Sequence, residues 1–250
     1  MRRVTAERIS YRIRQGTLII NLQRLYRIIS SAPRGGGIRR ARSILNHQVP
    51  ANPSSLKGSV TNRWRHPARD LGRLAGRLEV MKPVIGLMTA VPMTQLVVDR
   101  EQSGPVWIQC FCTVGVTNAV RAGERSPALS SRRQDPGTIN IILVTNATLT
   151  MTALVGAVQV VTESKTGTLI KNKVRSIVGK ASLATGTGTD AVVIASSLDG
   201  VHKMPYSGTH TEIGAMIGRL VSRCVQTGLI RSDRWVHSSA KPSRPPTMPL

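Results

Sequence analysis

The amino-acid sequence predicts an α/β fold in which a mixed sheet is packed with helices in a single layered domain. Three observations lead there. The second half alternates strand-like and helix-like segments, and the first half adds helical spacing and at least one further strand. A chain of 250 residues with 40% hydrophobic content is long enough to fill one sizeable core. No internal repeat or composition shift marks a second domain. The expected division is a basic N-terminal extension over 1–26, a folded domain over 27–228 and a disordered tail over 229–250, where Pro and Ser accumulate.

Taken in order, Thr17 to Leu22 (TLIINL) reads as a strand pairing with Tyr26 to Ser30. Gly35, Gly36 and Gly37 then form a turn opening into a helix, because Ile38, Ala41 and Leu45 fall at helical spacing. The polar stretch 51–67 reads as a surface loop. After it comes a short amphipathic helix with Leu71, Leu74 and Leu78 on one face. Val106 to Gly115 alternates as a strand, with Val106, Ile108, Cys110, Cys112 and Val114 in one apolar row, so both cysteines read as core.

The turn Asp135-Pro136-Gly137 introduces a second strand, TINIILVTNA, whose period of two places Thr138 and Asn140 side by side at its mouth. A long helix follows over Met151 to Lys171, N-capped by Thr150, with a stripe of Met151, Val155, Val158, Thr162, Lys165 and Leu169. A Thr-Gly loop, Ala184 to Asp190, leads into the buried-type strand AVVIAS. Thr209-His210-Thr211-Glu212 matches a capping box, with Thr209 as N-cap and His210 as the first helical residue.

The formal charge is +23, and residues 1–80 hold 17 Lys/Arg against 3 Asp/Glu. Such a balance raises nucleic acid as a partner. The basic residues are dispersed, however, only 3% of residues are aromatic, and no helix-turn-helix or RNA-binding signature is present. A basic nucleic-acid-binding protein without catalysis is therefore the alternative reading, and no specific nucleic acid is expected. The longest apolar run, Ala153 to Val161, is half a membrane span, and three cysteines suggest no disulfide framework; a cytoplasmic protein with no membrane partner is expected. Five scattered histidines give no local metal site, and no serine elbow, zinc helix or Walker loop occurs.

What remains is a set of polar strings. Ser30 to Pro50 (SSAPRGGGIRRARSILNHQVP), Gly86 to Val91 (GLMTAV), Thr113 to Gly123 (TVGVTNAVRAG), Gly137 to Leu143 (GTINIIL), Thr162 to Thr166 (TESKT), Ala184 to Val193 (ATGTGTDAVV) and Gly208 to Gly218 together resemble the adenosylcobinamide amidohydrolase family in content and order. The resemblance runs from about Arg27 to Val221, so that 27–228 becomes an amidohydrolase domain. It implies hydrolysis of the amide joining the aminopropanol arm of adenosylcobinamide to the corrin ring, giving adenosylcobyric acid. The corrinoid is then the substrate and partner, and no cofactor or metal is expected.

Amide hydrolysis needs a nucleophile, donors for the oxyanion and an acid for the leaving amine. His210 at a helix start is placed to exchange a proton, and Asp190 at a strand mouth to orient a histidine or act as base. Lys165 falls on the apolar stripe and requires a partner if buried; either it pairs with a site carboxylate or its stem snorkels outward. Glu163, two residues away, faces elsewhere, while His47 lies just past the expected helix end; the family strings bring both into the catalytic set. Thr138 and Asn140 are expected to donate to an oxyanion or to substrate carboxamides, and the backbone N–H groups of Gly35, Gly36 and Gly37 to approach those carboxamides or to form the oxyanion hole. Ser31, Asn46, Asn118, Thr187, Gly188 and Thr189, from the same strings, complete the expected substrate contacts.

The nucleophile is open among water, Ser31, Thr89 and Thr138. Thr138 following a glycine also permits a self-cleaving chain with a freed N-terminal threonine, but an intact chain is preferred. Denaturing electrophoresis should show one band near 27.0 kDa; two fragments of half that size would establish processing instead.

Overall fold

The computed structural model describes residues 9–50, 66–124, 137–179, 181–200 and 202–239. Residues 51–65 of the expected 51–67 loop, the first two residues of the Asp135-Pro136-Gly137 turn and the end of the tail lie outside them. The domain is a mixed α/β structure built on one eight-stranded sheet. Its strands are β1 (Ser10–Arg14), β2 (Thr17–Ser30), β3 (Gly37–Gln48), β4 (Val84–Thr89), β5 (Val97–Ser103), β6 (Val106–Val114), β8 (Ile139–Thr145) and β11 (Ala191–Ser197). Two-stranded ladders join β7 (Ala119–Val120) to β10 (Gly186–Thr187) and β9 (Thr148–Leu149) to β12 (Lys203–Met204). The helices are α1 (Pro67–Arg77), α2 (Met151–Lys171) and α3 (Glu212–Ser239).

The order β4-β3-β2-β11-β8-β6-β5, with β1 also on β2, does not lie flat. In β2 the register shifts between Asn21 and Tyr26, where Gln23 takes a left-handed φ of 60° and its N–H donates to the Asn21 side chain. An irregularity of this kind bends a strand and strengthens its twist. The first half of β2 pairs with β1 and the end of β3, while the second half pairs with β11 and the start of β3. The two halves of the sheet therefore face each other. Leu18, Ile20, Ile44 and Leu87 from one half meet Phe111, Ile142, Val144 and Val193 from the other in a shared core.

Alternation assigns the remaining faces. Ile19, Leu45 and Val84 turn the other way, onto Leu71, Leu74 and Leu78 of the α1 segment. Ile108, Cys110, Cys112, Ile141 and Ile194 turn onto α2 and α3. The layers run α1, half-sheet, half-sheet, α2 with α3. Cys110, Cys112 and Cys224 are free thiols and fully enclosed; a hydrogen bond with the Cys224 thiol together with burial pushes the Cys110 thiol well up, and burial does the same to Cys112. All three read as packing groups.

Several expectations are corrected. Thr17 to Leu22 and Tyr26 to Ser30 are not two paired strands but the two halves of β2. Residues 38–46 are not helical: they belong to β3, where consecutive Ile44 and Leu45 enter opposite cores, as a strand buried on both faces requires and a one-faced helix does not allow. Gly35 and Gly37 have φ of 74° and 81°, so the triple glycine closes the β2–β3 connection instead of opening a helix. The stripe drawn on α2 is misplaced, since Met151 and Val155 are 46% and 51% exposed and the buried face is Ala153, Leu154, Ala157, Val160, Val161, Lys165, Thr168 and Leu169.

The cap of α3 is also shifted. Thr211 accepts from the Gly214 N–H and the helix begins at Glu212, so His210 precedes the helix. A boundary after residue 26 cuts through β2, and one before 229 cuts through α3, whose Leu229 is buried. By contrast α1, β6, β8, β11 and the Thr150-capped α2 lie where periodicity placed them. No described helix is long and apolar enough to cross a membrane.

The shared core makes a direct test. Phe111 is 1% exposed, with the Tyr11 ring edge-on at 5.1 Å. Phe111→Ala should lower unfolding stability by about 3–5 kcal/mol, read as a shifted denaturant midpoint; a change under about 1 kcal/mol would mean that the half-sheets do not pack as described.

Candidate active site

The polar strings converge where β8 and β11 begin. These strands are parallel, Asn140 opposite Ala191, so Thr138, Asn140 and Asp190 arrive together. Asp190 is saturated with donors. One carboxylate oxygen accepts from the Ile139 N–H at 3.0 Å and the Thr187 hydroxyl at 2.5 Å; the other accepts from Lys165 Nζ at 2.5 Å and the Thr187 N–H at 3.0 Å. The Lys165 and Asp190 side chains are only 9% and 12% exposed. Of the two alternatives for Lys165, pairing with a site carboxylate is the one found. Gly186 leaves the space for it: a Cβ there would lie 2.6 Å from Asp190 and 2.8 Å from Lys165 Nζ.

Beside the pair, Thr189 donates to the Gly137 carbonyl at 3.0 Å and meets Thr138 Oγ1 at 2.5 Å. A hydroxyl has one proton, so with that of Thr189 on the carbonyl, Thr138 is the donor between them and keeps both its lone pairs free. Across the same mouth the Asn140 NH2 group donates to Asn46 Oδ1 at 2.9 Å and to the Met88 carbonyl at 2.8 Å, and Asn46 donates to Thr113 at 3.2 Å. Asn118 adjoins the β7–β10 ladder, in which Ala119 faces Thr187, and it touches Gly137. Ser31 reaches the rim, with its hydroxyl oxygen accepting from the Val192 N–H at 3.0 Å.

Other expected site residues fall elsewhere. Glu163 is exposed on α2 and does not join the pair. His47, on β3 and not past a helix end, turns its Nδ1 to Thr17 Oγ1 at 2.8 Å. A Cβ on Gly35 would run into Ile85 and one on Gly36 into the Ala32 carbonyl, while Gly37 pairs with Ser30 in the β2–β3 ladder and has open space where a Cβ would stand. Gly188 is exposed beside Thr187 and Thr189.

His210 is exposed and lines a groove of about 700 Å³ with Thr152, Val155 and Tyr206. That groove lies at the N-terminal part of α2, where Gly156 abuts Ser207 and Gly208. From Gly156 to Lys165 the helix rises roughly 14 Å, at about 1.5 Å per residue. His210 and Asp190 therefore do not converge.

Two participants escaped sequence reasoning. Thr113 is fully buried and anchors Asn46, and Gly186 makes room for the charged pair. A polar residue on the Trp107–Phe111 face of an apolar strand is the signal for Thr113. Nothing local marks Gly186, because its neighbours come from α2 and the following loop. Thr89, a nucleophile candidate, is buried with its oxygen accepting from the Val91 N–H at 3.1 Å.

The adenosylcobinamide amidohydrolase family model matches residues 2–236. A protein of that name from Methanosarcina mazei is 33% identical over 229 residues, covering 88% of this chain and 96% of its own. An uncharacterised protein, MJ1613, from Methanocaldococcus jannaschii is 28% identical over 233 residues, covering 87% of each. Among solved structures, the PH0078 protein from Pyrococcus horikoshii aligns with a TM-score of 0.39 at 10% identity, covering 89% of this chain and 78% of that one.

Removing one member of a buried ion pair strands the other charge. Lys165→Met should destabilise the fold by about 3–5 kcal/mol, and the double variant Lys165→Met/Asp190→Leu should recover much of that loss. Strictly additive losses in a denaturant double-mutant cycle would show that the two groups are not coupled.

Proposed function

The chain belongs to the adenosylcobinamide amidohydrolase family, and we propose that it hydrolyses the amide between the aminopropanol arm and the corrin ring of adenosylcobinamide, giving adenosylcobyric acid and the free amino alcohol. One amide and one water become a carboxylate and an ammonium. The observation that carries the reading is the enclosed Lys165–Asp190 pair beside Thr138, at a mouth lined by neutral hydrogen-bonding groups. The alternative of a basic nucleic-acid-binding protein rests on net charge alone, and charge fixes no chemistry.

Roles follow from which valences are free. A carboxylate offers about four lone-pair sites, and Asp190 already accepts four donors, so it holds Lys165 and the Thr187 loop and does not take a proton from water. Asp190 is thus a positioning residue. The Lys165 ammonium has three protons and gives one to Asp190. The other two supply charge-assisted donors for the carbonyl oxygen as it becomes negative, which is the term that most lowers the barrier to amide hydrolysis. Thr138, whose hydrogen bond to Thr189 orients its hydroxyl and leaves both lone pairs free, is the best placed of the three hydroxyl candidates. Neither His210 nor Glu163 shares this mouth, so the proposal gives neither a step at the scissile bond.

The test is turnover of adenosylcobinamide, followed by release of aminopropanol. Lys165→Met should lower kcat by about 10²–10³-fold, while Asp190→Asn should reduce kcat together with stability. His210→Ala should stay within about threefold of wild type, as an exposed residue outside the reacting mouth does. A collapse in His210→Ala with normal turnover in Lys165→Met would move the chemistry to the groove around Tyr206.

A further inference from the structure

We infer that Asn140, seconded by Asn118, presents a hydrogen-bond acceptor to an N–H group of the ligand, so that the mouth accepts an amide and disfavours the carboxylate it becomes. The inference rests on the amidohydrolase reading above and assigns a polarity within it. The expectation from sequence was that Asn140 donates. Its NH2 group has no proton left for that, because both point at the Asn46 oxygen and the Met88 carbonyl. A backbone carbonyl only accepts, so the atom of Asn140 facing Met88 is nitrogen and the amide orientation is fixed by chemistry. What remains is Oδ1, buried and without a hydrogen-bond partner among the described residues. The residue is 1% exposed, so bulk water does not serve that oxygen.

Asn118 repeats the pattern. Its Oδ1 is likewise buried and without a hydrogen-bond partner among the described residues, on a residue 9% exposed. It lies against Gly137, where a Cβ would come within 2.5 Å, so only a glycine lets the Asn118 oxygen approach the start of β8 this closely. Both acceptors therefore flank the first residues of β8, the same segment that carries Thr138. A buried acceptor left without a donor is costly, and native structures keep few of them outside sites where a ligand or ordered water completes the bond.

An amide N–H completes it. A carboxylate has no proton to offer and would set its own lone pairs against those of the asparagine. The reaction removes the N–H from the corrin side of the substrate, so the same contact that helps hold the substrate opposes the acid product.

The test compares two corrinoids differing at one group, adenosylcobyric acid and its primary amide, as inhibitors of adenosylcobinamide hydrolysis by the full chain at pH 8, measured from initial rates. With wild type the amide should inhibit about tenfold more strongly than the acid, as one net hydrogen bond allows. In Asn140→Ala and in Asn118→Ala the preference should shrink to about threefold or less, with KM for adenosylcobinamide rising more than kcat falls. Asn140→Ala also strips donors from Asn46 and Met88; if it fails to fold, the wild-type ratio and Asn118→Ala decide. Normal hydrolysis with equal inhibition by acid and amide overturns the acceptor role and leaves the amidohydrolase reading standing. No hydrolysis and no inhibition by either corrinoid removes both.

Discussion

The bend in β2 between Asn21 and Tyr26 is the constraint from which the rest of the architecture follows. A straight strand of this length would hold all its partners in one plane, leaving one sheet face for α1 and the other for α2 and α3. By changing register in its middle, β2 instead lends its first half to β1 and the end of β3, and its second half to β11. The sheet folds over, and a third core appears between its halves. The polar mouth is a consequence of that closure. The end of β3 and the end of β4 come to lie over the starts of β8 and the end of β6, which is why Asn46, Met88, Thr113 and Asn140 meet although they are far apart in sequence.

Within that mouth, the Lys165–Asp190 pair is held by more than mutual attraction. Desolvating two charges costs several kcal/mol each, and attraction offsets this only where other hydrogen bonds satisfy the remaining valences. Asp190 meets that condition through Thr187 and Ile139, whose backbone N–H groups come from the loop and strand that the site itself requires. Lys165 does not meet it, having further protons and no second partner among the hydrogen bonds of the described residues. The asymmetry is what the proposed roles rest on: the saturated Asp190 fixes geometry, and Lys165 keeps donor capacity that a substrate oxygen would use.

The legibility of these features in sequence follows their range. Elements set by local periodicity were readable, among them α1 with its Leu71, Leu74 and Leu78 face, the alternation of β6 and the span of α2 from its Thr150 cap. For Lys165 the alternatives were readable but not the outcome: pairing with a carboxylate and snorkelling outward both suit a lysine at that position, and Asp190, 25 residues on, decides between them. Segment 38–46 was not, since helical spacing and burial on two faces produce the same apolar letters, and only the presence of β2 and β4 on either side decides between them. The polarity of Asn140 was invisible for a similar reason: an amide is donor and acceptor at once, and which half is left over depends on Asn46 and on a carbonyl 52 residues away. The resemblance of the polar strings identified the family but not their arrangement; Ala184–Val193 and Gly137–Leu143 share one mouth, while the string containing His210 lies at the other end of α2.

The net charge of +23 finds little use at the site, and geometry explains why. Arg12, Arg14, Arg39 and Arg40 are exposed on β1 and the first half of β3, in solvent where a Debye length of about 8 Å screens them at physiological ionic strength. The amide of the proposed substrate is neutral, so a long-range field would do little to steer it. A charge acts most strongly where water is excluded, and Lys165 is the cation enclosed in that way among those described. In the proposed reaction, a single enclosed ammonium, fixed by one saturated carboxylate and bordered by neutral amides and hydroxyls, would stabilise the oxyanion without offering the product carboxylate a cluster of cations on which to remain bound.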